Sequence, residues 1–391
     1  MALVQLQPPS PDRDRREVEI RYQILATLSA TRGHAAPETL DASERFEVVA
    51  EKSGNLRALF ISVFTRGITA WVSGDLAAAC QLADEAVALA LRQESHEILA
   101  SAYAREIWTR YWRGDLTDVE KYFAVGSKFF DSLPPTGQSL GSLPGFAYAS
   151  WSAWTIGYAN IAREREAQMM ALVRTDHPYD LAYSAALAAR LRLYMREFEQ
   201  AEGLAARALE VARKNQFPYL IALSQCLLGR ARAQSSRSND DVAQIRDGIT
   251  GLLEICSRFG IACHTTYLAE AQALKGASAE ALVTIQQALQ ADPKELAVRP
   301  ETLRVRGEIQ LTLGQSALAE ASFREAIMLA QQMDVKAWQL RTTVNLARLL
   351  RDTARRNEAR VMLGEIYNWF TEGFNTVDLK DAKALLDELS V

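Results

Sequence analysis

The chain has 391 residues, 49% of them apolar and 24% charged, with a formal net charge of −4. A nucleic-acid binder normally carries a basic surplus, so this balance argues against one, and no uncharged apolar run approaches the roughly 18 residues of a membrane span. Pro and Gly are few while Ala, Leu, Arg and Glu dominate, a composition that favours helix because these side chains lose little freedom in one.

Residues 1–11 form a Pro-rich polar leader, expected to be disordered or a linker, and the N-terminal stretch turns charged too early for a signal peptide. Helices start at Asp12, with a first pair over Asp12–Ala30 and Pro37–Ser53, broken at Arg32-Gly33-His34. Pro37 suits a first helical turn, where its missing N–H is not needed. The remaining chain, 12–391, reads as one helical domain; a break at 132–145 is its only long loop, and 12–131 and 146–391 are candidate lobes on either side. A final helix over Leu379–Leu389 is expected to cap the open end.

A periodic frame runs through this domain. Turn positions fall at Gly33, Gly74, Gly114, Gly157, Arg196, Ser236, Gly276, Gly314 and Ala354, with successive gaps of 41, 40, 43, 39, 40, 40, 38 and 40 residues. Five residues after the turn stands a small side chain (Ala79, Ala162, Ala201, Ala281, Ala319, Ala359), and twelve after it another (Ala86, Gly126, Ala208, Gly248, Ala288, Ala326). Val119, Met169, Asp241 and Ile366 depart from the pattern, and Pro293 closes the seventh unit. Small residues at these spacings let two antiparallel helices cross closely. Each pair leaves an apolar face that only a stacked neighbour can bury. The stretch Glu301–Ala330, with Gly307, Gly314, Ala319, Phe323 and Ala326, resembles a tetratricopeptide repeat (TPR), with a period about six residues longer than the usual 34. The expected fold is all-α: a right-handed α-solenoid of nine long TPR-like helix pairs plus a C-terminal capping helix.

The segment AWQLRTTVNLARLLRDTARRNEARVMLGEIYNWFTEGFNTVDLKDAKALLDEL, at 337–389, resembles the end of the TPR region in a large bacterial family that joins an adenylate/guanylate cyclase or DNA-binding domain to a STAND-type ATPase and then to such an array; LSATRGHAAPETL resembles the start of that array. The resemblance implies the regulatory arm of a signalling protein, with the ATPase or cyclase part of a longer parent as a possible partner. No Gly-rich phosphate loop ending in Lys-Ser/Thr is present, so ATP binding by that route is not expected.

In such a superhelix the first helix of each pair lines the concave face. Its inward positions give Phe64, Trp71, Trp108, Tyr111, Trp151, Trp154, Tyr183 and Arg190 in pairs two to five, then Arg230, Glu270, Arg304, Glu308, Arg341, Arg348 and Arg351 in pairs six to nine. Aromatic faces supply apolar area and stacking for a peptide side chain or a small ring, and arginines can grip a carboxylate or phosphate in bidentate fashion. The alternatives are that the tryptophans fill the space between repeats and that Arg304 and Glu308, four apart on one helix, only pair with each other. The cluster as a whole is taken as a concave groove for a protein or peptide segment; a small-molecule pocket around Trp71, Trp108, Tyr111, Trp151 and Trp154 is the second reading.

No enzymatic constellation is visible, and no catalytic residue, cofactor or metal site is assigned. Cys256, Cys263 and His264 lack the paired spacing of a metal site. His34, His96 and His177 read as caps or loop residues, and Asp240-Asp241 as a helix start. The four cysteines are expected to be reduced thiols in a cytoplasmic protein.

Overall fold

Among the described residues nineteen helices follow one another, as nine pairs and a last single helix. They are α1 (Pro11–Arg32) and α2 (Pro37–Ser53); α3 (Leu56–Val72) and α4 (Leu76–Gln93); α5 (His96–Arg113) and α6 (Leu116–Gly126), the last running into a 3-10 turn at Ser127–Ser132. Then come α7 (Ser142–Ile156) and α8 (Ala159–Ala171); α9 (Pro178–Tyr194) and α10 (Phe198–Lys214); α11 (Pro218–Arg232) and α12 (Asp240–Glu254). The last pairs are α13 (Ile261–Leu274) and α14 (Ser278–Ala291), α15 (Arg299–Thr312) and α16 (Ser316–Gln332), and α17 (Lys336–Asp352) and α18 (Arg356–Tyr367), closed by α19 (Val377–Ser390). The structure, a computed structural model, describes residues 8, 10–132, 141–234, 239–291 and 294–390, and no strand occurs among them. The chain is a TPR-like α-solenoid, with nine helix pairs and a capping helix among the described residues.

The periodic frame has a backbone cause. Gly33, Gly74, Gly114, Gly157, Gly276 and Gly314 all take positive φ, and so do the two described non-glycine turn positions, Arg196 at 61° and Ala354 at 60°. A left-handed residue ends the first helix of a pair and lets the chain reverse. The small residues lie where the two helices cross. Ala79, Ala162, Ala201, Ala281, Ala319 and Ala359 are fully buried. At Gly248 a Cβ would lie 2.6 Å from the Ala222 carbonyl oxygen of the facing helix. Val119, Met169, Asp241 and Ile366, the departures from the pattern, are buried too and fill the same positions with larger side chains.

Some boundaries differ from expectation. Helix α7 begins at Ser142, inside the stretch expected as loop, because Ser142, Leu143 and Gly145 pack under Phe130 and the 3-10 turn. Helix α1 runs from Pro11 to Arg32, and the cap from Val377 to Ser390. Most of the leader (1–7 and 9), residues 133–140 of the loop, Ser236 and Pro293 lie outside the described residues.

The spiral returns onto itself. The Arg258 N–H donates to the Val72 carbonyl at 3.0 Å, and the Leu296 N–H to the Trp112 carbonyl at 3.0 Å. The Asn160 N–H donates to Glu372 Oε1 at 2.8 Å, and Gly157 lies against Trp369. Each contact joins a pair to a segment four or five pairs further along. The concave side of pairs two to four is therefore covered by protein. No helix among the described residues is long and apolar enough to cross a membrane.

Candidate functional site

The aromatic half of the expected groove is core. Trp71, Trp108, Tyr111, Trp151, Trp154 and Tyr183 are all buried, and only Phe64 is half-exposed. The reason is the return of the spiral. Phe259 stacks on Trp71 with ring centroids 3.6 Å apart and meets Trp112 edge-on at 4.6 Å. Trp338 meets Trp154 edge-on at 4.6 Å, and Tyr194 stacks on Trp154 at 5.3 Å. Tyr111 and Tyr194 share a hydroxyl hydrogen bond of 3.2 Å, and Trp151 Nε1 donates to the Leu187 carbonyl at 3.3 Å. These side chains look onto a later turn of protein. The void beside Trp151, Tyr148 and Arg190 measures about 10 Å³, room for about one water. In this conformation these tryptophans are packed as core. Arg190 is buried in the same region, with Nη2 3.3 Å from His264 Nε2 and its guanidinium over the Trp112 and Trp151 rings.

The charged half is different. A cleft of about 470 Å³ opens on the inner side of pairs five to nine. Of the expected residues, Arg230, Arg304 and Arg348 line it, together with Glu270, Glu308 and Arg341. Arg351 does not; it pairs with Asp352 and Glu388 at the chain's far end. Three acceptors and one cation that the inward frame omitted also line the cleft: Glu301, Asp378 and Asp381, and Arg196. Arg196 is a turn residue, and the two aspartates stand on the capping helix α19, so neither belongs to the helix positions that the frame samples. Its apolar walls include Leu193, Phe198, Val305, Ile309, Trp338 and Val344.

The ten charges form one alternating network. Arg230 pairs with Glu270 at 2.7 Å, Glu270 reaches Arg304 at 3.8 Å, and Arg304 pairs with Glu301 at 2.7 Å and Glu308 at 2.6 Å. Arg341 joins Glu301 at 3.2 Å to Asp378 at 2.6 Å. Arg196 then links Asp378 at 3.2 Å to Asp381 at 2.8 Å, and Arg348 closes on Asp381 at 3.8 Å. Burial opposes the charge on Glu301, but Arg304 and Arg341 outweigh it and hold its carboxyl down at about 2. The network is internally neutral, so the cleft does not select a strongly charged ligand of either sign. One buried polar atom in its lining, Arg230 Nη1, has no partner among the described residues. A buried donor without an acceptor costs about 1–3 kcal/mol, and an acceptor seated in the cleft would satisfy it. Among the described residues no group of three or more His, Cys, Asp or Glu is placed to hold a metal.

Neither a family model nor a curated protein matches the sequence. Solved structures match the fold. A Rap protein complexed with competence and sporulation factor superposes with a TM-score of 0.54 at 11% identity, over 85% of this chain and 96% of that one. The Cut9–Hcn1 hetero-tetramer of APC/C gives 0.54 at 13% identity, over 90% of this chain and 59% of that one. NprR in complex with its cognate peptide NprX gives 0.50 at 13% identity, over 74% and 82%. All three are TPR-like helical repeat proteins, and at these identities the likeness defines the fold alone.

Proposed function

We propose that this chain is a non-catalytic interaction module that binds an extended segment of a protein partner in the cleft of pairs five to nine. The observation that carries the reading is the cleft's construction. Residues from five successive pairs and the capping helix line one continuous trough with apolar walls, a neutral ladder of charges and one unmet donor on Arg230. An extended peptide offers a repeating acceptor and side chains on both faces, so it can meet such a trough along its length. The structures of Rap with competence and sporulation factor and of NprR with its cognate peptide supply an analogy for this use of the fold. A volume of about 470 Å³ also lies in the range of small-ligand sites, which makes a small-molecule sensor the alternative outcome.

The wider setting belongs to the same proposal. The segment at 337–389 supports a regulatory arm of a bacterial signalling protein, with a STAND-type ATPase or cyclase as the parent's other part, in the cytoplasm. Copurification with such an ATPase domain tests that setting separately.

The cleft itself is tested with fluorescently labelled short peptides of mixed sequence and with a panel of sugars, nucleotides and amino acids. Peptides should bind saturably by anisotropy, change the emission of Trp338 in the cleft wall, and lose affinity in Arg230→Met. Binding confined to a small molecule would replace the peptide reading, and peptide binding unaffected by cleft substitutions would place the interface elsewhere.

A further inference from the structure

Arg105 is the chain's outstanding unpaid polar group. It stands on α5 at 1% exposure, yet Nε, Nη1 and Nη2 all lack a hydrogen-bond partner among the described residues. Other buried arginines are served by acceptors: Arg110 by Glu106 and Asp84, Arg230 by Glu270, Arg304 by Glu301, and Arg341 by Asp378. Around Arg105 stand rings, and the titratable groups that act on its charge are the Tyr148 and Tyr183 phenols, not a carboxylate. Its guanidinium carbon lies 4.5 Å from the centroid of Phe64 and 4.3 Å from that of Trp108. Such cation–π contacts hold the group in place, but they leave its in-plane N–H donors unspent. Trp71 packs on Trp108 at 5.4 Å, and both indole Nε1 donors are buried and unpartnered as well. His34, at the α1–α2 corner, adds an unpartnered Nδ1; burial and then the charge of Arg105 push its pKa down to about 4, so it stays neutral. Burial likewise pulls Arg105 itself down to about 9.

From this cluster we infer a second binding site, independent of the cleft, in which Arg105, with the Trp71 and Trp108 indole N–H groups, takes a carboxylate inside the cage of Phe64, Trp71 and Trp108. A buried cation without a counter-charge is costly, and an anion that reaches it recovers that cost. The class follows from the donors. The guanidinium presents a planar fork that a carboxylate matches oxygen for nitrogen. A phosphate dianion would bring two charges to one cation, beside Tyr148, Tyr183 and a neutral His34 with no second cation among them, and would stay undercompensated. The aromatic walls favour an acid with an apolar tail. The site is closed in this conformation, and Phe64, the half-exposed member of the cage, is the side chain whose rotation opens it. Such an acid could be a free metabolite-sized carboxylate or the C-terminus of a peptide; the chemistry is shared.

The test uses the full chain at constant ionic strength, with chloride as the balancing anion. Acetate, butyrate, phosphate and sulfate are titrated, reading tryptophan emission and melting temperature together. Butyrate should give a saturable change in both and bind more tightly than acetate, while phosphate and sulfate give none beyond the chloride control. Arg105→Met removes the unpaired charge with little change in length, so it should melt at or above the parent while losing butyrate affinity by about tenfold or more, the worth of one charge-assisted hydrogen bond. If that variant fails to fold, Arg105→Lys keeps the charge without the fork and should show the same loss. A short peptide with a free C-terminus, compared with its amide, separates the two sources: binding of the free acid alone assigns a chain end, and binding of butyrate alone a small acid. No saturable carboxylate response, an equal response to phosphate, or full affinity in the Arg105 variants would overturn the site.

Discussion

Trp154 in the fourth helix pair and Trp338 in the ninth meet edge to face with ring centroids 4.6 Å apart. Trp338 Nε1 also donates to the Ala297 carbonyl at 3.2 Å, so one indole ties three levels of the spiral together. The contact explains why inner-face tryptophans are structural. Trp108→Ala with Trp151→Ala should then destabilise the chain severely, since aromatic-to-alanine changes in a core cost about 3–5 kcal/mol each. Thermal or urea unfolding reads this directly. An unchanged midpoint would mean that both rings face solvent and that the closed spiral is wrong.

The helix crossings give a paired prediction. A Cβ on Gly248 would sit 2.6 Å from the Ala222 carbonyl oxygen, a backbone atom that cannot swing away. Gly203 stands on the exposed face of helix α10 with nothing within 4 Å of an added Cβ. Gly248→Ala should therefore lose about 1–3 kcal/mol by overpacking, while Gly203→Ala should gain up to about 1 kcal/mol from helix propensity. Chemical denaturation of the two variants side by side checks the sign of each.

The thiols divide by burial. Cys80, Cys226 and Cys263 are buried and Cys256 is exposed. Burial pushes the three buried thiols up, away from the reactive thiolate. Titration of the native chain with a disulfide reagent should release one fast equivalent, and Cys256→Ser should remove it; the rest should appear only in denaturant. More than one fast equivalent would show that a buried site opens readily.

Much of the fold could be read from sequence because a repeat is a local object. Turn positions need a left-handed residue and crossings need a small one, so Gly74, Gly314, Ala79 and Ala319 declare the pairs one at a time. Even Arg196 and Ala354, with no glycine to mark them, were found by the period and adopt positive φ. The curvature of the array is not local. It accumulates over four or five pairs, and no single repeat shows that Phe259 will stack on Trp71. That contact turned the expected aromatic groove into core. The charged cleft was half legible: Arg230, Arg304 and Arg348 lie on the sampled helix face, whereas Asp378 and Asp381 reach it from the capping helix. Arg105 was invisible for another reason. An arginine on a helix face reads as a solvated or paired charge, and only the structure shows that its neighbours are rings.

The cleft network makes a prediction about acid stability. Glu301 is mostly buried between Arg304 and Arg341, and although burial resists its charge, the two guanidinium groups hold its folded pKa at about 2, below the ordinary 4.5. A carboxyl depressed by folding stabilises the native state at pH above its unfolded value, and that contribution is lost as pH falls through the folded value. The window is thus about pH 4.5 down to about 2, and the amount is on the order of 3 kcal/mol at the rate of 1.36 per pKa unit. Glu301→Gln should lose stability at pH 7, where Arg304 and Arg341 are left short of a counter-charge, and the difference from the parent should shrink as the pH is taken from 4.5 towards 2. Urea unfolding at stepped pH measures both slopes. Parallel curves for parent and variant across that window would show that the ladder of charges lining the cleft is not held together through Glu301.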